Sequence, residues 1–325
     1  MRLVITGAAG FIGSRFSEMA LERANALGYD DIVLLDALRY SGRLENLTDV
    51  LNDDRVRFVH ATINDTGVTD ELLDGAHAVV NLAAESHVDR SITGAAAFFE
   101  TNVIGTQQLC ESARRGGVKR FVQVSTDEVY GTIATGSWSE DHALAPNSPY
   151  SSSKAGADLC ALSYFATYQV PVMVTRCSNN YGPRQFPEKL IPLFVTNLIR
   201  GDKVPLYGDG QNIREWIHVD DHCRALLLVL EKGTPGEIYN IGSDTELSNR
   251  DVTSKLLELC GADDSMIEPV ADRLGHDRRY SLDWSKTRDT LGYRPEVFFE
   301  TGLASTVSWY QKNVEWWSPL VVESA

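Results

Sequence analysis

Two short runs hold the side chains best suited to chemistry. In Tyr150-Ser151-Ser152-Ser153-Lys154 a phenol and an amine stand four residues apart, so on a helix they share one face. A phenol of pKa ~10 is a poor base near neutrality, but a neighbouring cation favours the phenolate. Such a pair can take a proton from a hydroxyl as hydride leaves the same carbon. The second run is Ser125-Thr126-Asp127-Glu128-Val129-Tyr130-Gly131, directly after an apolar stretch. Eliminating water requires one group to remove a carbon-bound proton and another to protonate the departing hydroxyl. Two carboxyl groups in unlike surroundings can divide those roles. Taken alone, a Tyr/Lys pair on a helix is usually surface decoration, and adjacent carboxylates are often a solvated turn. Context must decide between these readings.

The context is an alternation of strands and helices. Short apolar runs at Arg2–Thr6, Asp31–Leu35, Val56–His60, Ala78–Leu82, Arg120–Ser125 and Val172–Arg176 read as strands. Helical patterns lie between them, as at Ile12–Leu27 and Asn102–Gly116, and Tyr150–Tyr168 reads as another helix. The expectation is an α/β fold with a Rossmann-type doubly wound parallel sheet and a smaller C-terminal substrate-binding lobe. The pattern loosens after Tyr181. We therefore expect residues 1–178, with a returning segment near 213–240, to form the dinucleotide-binding domain. Residues 179–212 and 241–325 would form the smaller lobe. The Thr126 run lies at the carboxyl end of a strand, where parallel sheets build their sites.

The first strand ends in Gly7-Ala8-Ala9-Gly10-Phe11-Ile12-Gly13 and runs into a helix. Gly7 permits the tight turn, Gly10 lets the backbone approach a pyrophosphate, and Gly13 lets the helix pack closely. The N–H groups at that helix start form an anion site. Asp36 ends the next strand, where a carboxylate suits the ribose hydroxyls of NAD and repels the phosphate of NADP. NAD is therefore the expected cofactor. This placement also tips the Tyr150/Lys154 pair toward catalysis.

Composition sets outer limits. The chain has 325 residues, 43% hydrophobic and 23% charged, with a formal net charge of −15. That charge argues against nucleic-acid binding, while a few local Arg and Lys residues still suffice for a phosphate-bearing substrate. Cys110, Cys160, Cys177, Cys223 and Cys260 are scattered without a CxxC pair, which points to reduced thiols in a cytoplasm and to no metal site. No apolar run approaches the ~18 residues of a membrane span, and the opening residues do not form a signal peptide.

The GxxGxxG spacing resembles the extended short-chain dehydrogenase/reductase superfamily, which acts largely on nucleotide sugars. Within it, five runs resemble the dTDP-glucose 4,6-dehydratase family: Ser125–Gly131, Glu85–Ser91, Arg176–Pro183, Gln185–Leu193 and Arg214–Cys223. Gly275–Asp283 completes the likeness. The Thr-Asp-Glu triplet is its specific part, since related epimerases generally lack the adjacent acid pair.

The resemblance implies a hydro-lyase cycle on a nucleotide-diphosphate sugar. Tyr150 deprotonates the 4-hydroxyl as hydride passes to NAD, with Thr126 bonded to that oxygen and Lys154 holding the nicotinamide ribose. Glu128 removes the C5 proton, Asp127 protonates the leaving 6-hydroxyl, and hydride returns to C6. Implied cofactor contacts are Gly7, Gly10, Phe11, Ile12, Gly13, Asp36, Leu38, Arg39, Ser41, Gly42, Thr62, Ile63, Leu82, Ala83, Ala84, Ser86, Thr101, Ser125, Tyr150, Lys154 and Asn180. Implied substrate contacts are Ser86, His87, Thr126, Asn179, Lys189, Leu190, Pro205, Tyr207, Arg214, Asn249, Arg273 and His276. A homodimer is expected from the resemblance and from the small residues Ala155, Gly156, Ala157, Ala161 and Ala166 on the Tyr150 helix. Internal packing could use those residues equally.

The chain departs from the family pattern beside the adenosine. Arg39 stands where Thr is usual, and Thr62 where an Asp usually receives the adenine amino group. Ala8 replaces a common second glycine, and Leu274 a residue that is often polar. Two other readings compete with the dehydratase. A nucleotide-sugar 4-epimerase would share the cofactor turn and the Tyr/Lys pair without needing Asp127 and Glu128. A silent NAD-sensing or scaffold protein would not need Thr126, Asp127, Glu128, Tyr150 and Lys154 together.

Overall fold

In the computed structural model, which describes residues 1–322, buried apolar runs become the strands of one parallel sheet. Those strands are β1 (Arg2–Thr6), β2 (Asp31–Asp36), β3 (Val56–His60), β4 (Ala78–Asn81), β5 (Arg120–Thr126) and β6 (Val172–Cys177). The seventh, β10 (Ile238–Ile241), comes much later in the chain. The order is β10-β6-β5-β4-β1-β2-β3, and every pairing is parallel. Strands such as Ala78–Asn81 and Val172–Cys177 are buried along their whole length, as expected for a sheet covered on both faces.

One face carries α1 (Phe11–Leu27), packed with α8 (Val219–Lys232) on a core that includes Leu3, Phe16, Leu34, Val122, Leu226 and Tyr239. The other face carries α2 (Thr66–Leu73), α5 (Thr106–Gly116) and α6 (Pro149–Tyr168) over Val4, Leu109, Phe121 and Val172. Between β4 and α5 the chain passes through α3 (Val88–Thr93), α4 (Ala96–Phe98) and a π-helical stretch, Phe99–Gly105. The sequence reads a continuous helix only from Asn102. The wider π turn ahead of it brings Thr101 to the cleft and buries Asn102.

Beyond β6 the chain builds smaller sheets. β7 (Asn179–Tyr181) and β11 (Glu246–Ser248) flank β9 (Ile213–His218), and β8 (Val204–Tyr207) pairs with β12 (Ile267–Val270). They pack with α7 (Leu190–Arg200), α9 (Asn249–Cys260), α11 (Phe299–Lys312) and α12 (Val314–Val322) around Tyr181, Phe194, Trp216, Leu256, Leu303 and Trp317. α10 (Ser285–Leu291) returns to the large sheet, where Thr287 Oγ1 donates to the Asn240 carbonyl. Among the described residues no helix is long and apolar enough to cross a membrane, and no cluster of His, Cys, Asp and Glu could hold a metal.

Candidate active site

The cofactor cradle begins with backbone geometry. Gly7 adopts φ 64°, and a Cβ there would meet Ala83 N at 2.6 Å. A Cβ on Gly13 would meet the Gly7 carbonyl at 2.0 Å, so glycine is required at both positions for α1 to start this close to β1. The α1 N-terminus has no side-chain cap and no acidic residue in its first turn, which leaves its N–H groups for an anion. Asp36 is buried at the end of β2 and accepts from Ala9 N at 2.9 Å and Leu38 N at 2.7 Å. Burial raises its pKa against those two bonds. The buried Thr101 Oγ1, Ser178 Oγ and Asn179 Oδ1 have no hydrogen-bond partner in the protein. They line one continuous cleft with the glycine turn. A bare helix terminus, a ribose-type carboxylate and unpartnered polar atoms together fit a dinucleotide.

At the other end of that cleft stand the five reactive side chains. Thr126 ends β5, and Asp127–Tyr130 follows as a single tight turn. Thr126 Oγ1 accepts from Glu128 N at 3.3 Å and donates to Asp127 Oδ1 at 3.1 Å. The turn ends at Gly131, φ 80°, where a Cβ would meet the Ala145 carbonyl at 2.4 Å. Tyr150 and Lys154 open α6, whose start is fixed by a reciprocal Ser148/Ser151 capping box and by Pro149 at the first turn.

The two carboxyl groups differ in their surroundings. Asp127 is 2% exposed; burial, then the charges of Glu128 and Glu215, push its pKa well above the carboxylate range. Burial also raises Glu128, but Arg273, Lys189 and Arg214 pull it back. The difference leaves Asp127 the better proton donor and Glu128 the better acceptor. Tyr150 is pushed well above 10 by burial and by Glu128, with Thr126 beside it favouring the phenolate. Lys154 Nζ donates to the Val124 carbonyl at 2.7 Å. Burial lowers its pKa, opposed by Asp158 and Cys177.

Most of the expected residues converge. Gly7, Gly10–Gly13, Asp36, Arg39, Ser41, Gly42, Thr62, Ile63, Leu82–Ala84, Ser86, Thr101, Ser125–Glu128, Tyr150, Lys154, Asn179, Asn180 and Lys189 all line the cleft. Arg214 and Arg273 bear electrostatically on Glu128 from its far side. Tyr207 and His276 stack edge to face at 6.2 Å, and Arg273 acts on both. Leu190 and Asn249 open α7 and α9, Pro205 lies in β8, and the buried Asn249 Oδ1 has no partner. Leu38 is different, because its side chain packs on the core and only its N–H serves the site, through Asp36. His87 caps α3 and its Nε2 lies 3.9 Å from Glu188. Tyr40, Cys177, Gln185, Phe186 and Glu188 also line the cleft and were not singled out from the sequence. Glu188 joins Tyr40 at 2.9 Å and Arg90 at 3.2 Å. Cys177, Gln185, Phe186 and Glu188 lie inside the runs that carry the resemblance, and Tyr40 stands between Arg39 and Ser41, so position in the sequence is their signal.

Residues 4–306 match the family model described as GDP-mannose 4,6 dehydratase. A dTDP-glucose 4,6-dehydratase of Streptomyces antibioticus is 56% identical over 323 residues, 98% of this chain and 95% of the relative. The chain belongs to the dTDP-glucose 4,6-dehydratase family. Among solved structures, the family member from Streptomyces venezuelae, crystallised with NAD, superposes with a TM-score of 0.97 at 57% identity, covering 98% of this chain and 100% of that one. A UDP-glucose 4-epimerase of Thermotoga maritima shares the fold more distantly, with a TM-score of 0.88 at 32% identity and coverage of 97% and 100%. The likeness to the dehydratases runs through both lobes of the cleft.

Proposed function

We propose that the chain is an NAD-dependent hydro-lyase that converts dTDP-glucose to dTDP-4-keto-6-deoxyglucose. The observation that carries this reading is the joining, in one cleft, of a dinucleotide cradle to two carboxyl groups in unlike electrostatic surroundings beside a Tyr/Lys pair. An epimerase needs no such acid pair.

Bound NAD supplies a hydride acceptor at C4 and the same hydride again at C6. Gly7, Gly10, Gly13 and Asp36 would hold its pyrophosphate and ribose, and Lys154 its second ribose. Tyr150 accepts the proton of the sugar 4-hydroxyl, and Thr126 donates to that oxygen. The resulting ketone acidifies the C5 hydrogen, which Glu128 removes. Asp127, kept protonated by its burial, delivers its proton to the departing 6-hydroxyl. Glu128 then returns a proton to C5. Lys189, Arg214 and Arg273 would bind the diphosphate, and their positive charge also keeps Glu128 more readily ionised than Asp127.

The nucleotide domain in this reading comprises residues 1–178 with a returning segment near 213–240, which is supported by α8 and β10 lying on the large sheet. However, β9 (Ile213–His218) belongs to the smaller sheet, and α10 (Ser285–Leu291), expected in the smaller lobe, packs on the large one. We also read the protein as a cytoplasmic homodimer. Five unpaired cysteines support the compartment. The exposed Leu159 on α6, with Phe99 and Ile104 on the neighbouring π segment, supports the dimer. Incubation with dTDP-, UDP-, CDP- and GDP-glucose side by side tests the function. The alkaline absorbance of a 4-keto product should develop with dTDP-glucose. Simple inversion at C4 with the 6-hydroxyl retained would overturn the reading.

A further inference from the structure

Arg39 lies three residues beyond Asp36, on the loop leaving β2. Dinucleotide folds place an arginine near this point when they accept a 2′-phosphate, and a carboxylate in the position of Asp36 when they accept NAD. One loop therefore carries both signals.

The structure shows where the arginine goes. Leu38 adopts φ 46°, a left-handed conformation unusual for leucine, and its N–H is held by Asp36 Oδ1 at 2.7 Å. Beyond that turn the Arg39 Nη1 lies 2.9 Å from Glu85 Oε1, on the loop after β4. Glu85 is well anchored. Asn102 Oδ1 accepts from its N–H at 2.9 Å, and Asn102 Nδ2 donates to its carbonyl at 3.0 Å. Asn102 is itself buried and donates to Ser153 Oγ at 2.8 Å. The Glu85 side chain is 12% exposed and that of Arg39 50%, so a largely buried carboxylate on an anchored backbone holds a half-exposed guanidinium. Both line the same cleft as Asp36, Ser41 and Gly42.

We propose that Glu85 is a specificity-determining residue: by pairing with Arg39 it withholds that guanidinium from a cofactor 2′-phosphate, and so keeps the chain selective for NAD. The proposal rests on the cleft being the dinucleotide site. Asp36 repels the phosphate, and Glu85 occupies Arg39, the cation of the β2 loop that lines the cleft; Arg43, further along that loop, lies 3.4 Å from Glu45. An ion pair this exposed adds little to stability, so breaking it leaves the fold available for measurement.

The test titrates full-length protein, stripped of nucleotide, with NAD and with NADP by calorimetry. Wild type, Glu85→Gln, Arg39→Thr and the double variant are compared, and thermal melting verifies the fold. Glu85→Gln should raise the NADP-to-NAD affinity ratio by about three- to tenfold, the range of one freed phosphate contact. Arg39→Thr should leave the ratio at or below wild type, and the double variant should match Arg39→Thr. Glu85→Ala repeats the comparison without a side chain able to hold Arg39. An unchanged ratio in both Glu85 variants, or a gain that survives loss of Arg39, overturns the proposal. Wild type that binds neither nucleotide would instead overturn the cofactor site itself.

Discussion

Replacing Glu128 by Gln should separate oxidation from elimination. The substitution keeps the size of the side chain and the bond from its N–H to Thr126 Oγ1 at 3.3 Å. It removes the one carboxylate in the cleft that three cations hold toward ionisation. It also removes a negative charge that opposes the Tyr150 phenolate, so electrostatics gives no reason for hydride transfer to slow. The elimination loses its base. A positioned base is worth roughly 10²–10⁴ in rate, or about 2.7–5.4 kcal/mol of barrier. Asp127 is a poor replacement, because burial and the Glu215 charge still raise its pKa once Glu128 is neutral. Mixed with dTDP-glucose, the variant should accumulate reduced nicotinamide, visible in the near ultraviolet, and should not exchange the C5 hydrogen with solvent deuterium. Normal C5 exchange in a folded variant would remove Glu128 from the mechanism. Equal damage to both stages would make it a brace for the loop.

Three further outcomes are expected. Tyr150→Phe should form little reduced nicotinamide on mixing with substrate, since no group remains to take the 4-hydroxyl proton; full reduction in a single turnover would refute that role. His222 is buried, bonded to Asn180 Oδ1 at 2.9 Å, and pushed down to about 3 by that burial. Its neutral form contributes stability above pH 6.5 that is lost as pH falls toward 3, at up to about 1.4 kcal/mol per unit. Denaturant midpoints of His222→Asn should accordingly lose that much less than wild type per unit between pH 6 and 4, and parallel curves would argue against it. Leu159→Arg on the exposed face of α6 should convert a dimer to a monomer in light scattering, and an unchanged mass would exclude that face as the interface.

The large sheet was legible because apolar runs bounded by turn residues are its direct signature. All six strand expectations end within one residue of the structure at both ends, and Arg2–Thr6 and Val56–His60 coincide with β1 and β3. β10 was not legible. Ile238–Ile241 is four residues long and carries no alternation, because it lies against β6 with helices on both faces. The π stretch Phe99–Gly105 was missed because periodicity over seven residues cannot tell a wide turn from an ordinary one. At the site, the reactive residues were readable because they cluster in two short runs. Tyr207, at the end of β8, and Arg273 and His276, on the loop after β12, come from distant parts of the chain, and only resemblance named them. The bond from Lys154 Nζ to the Val124 carbonyl is a contact that residue spacing cannot reveal. The pairing of Arg39 with Glu85 was equally invisible, joining loops 46 residues apart.

The late arrival of β10 has a consequence for synthesis. Every reactive side chain has been made once Lys154 is added, and β6 follows at Val172–Cys177. The strand that covers its outer edge begins only at Ile238. Until then the nascent sheet ends in a fully buried type of strand with open N–H and C=O groups, the sort of edge that recruits foreign strands. Arg176, already bonded to Asp158 at 3.0 Å in the finished protein, puts a charge into that edge, and a charge there discourages such pairing. Chain arrested between β6 and β10 would therefore hold all five reactive side chains and still be the form most prone to aggregate.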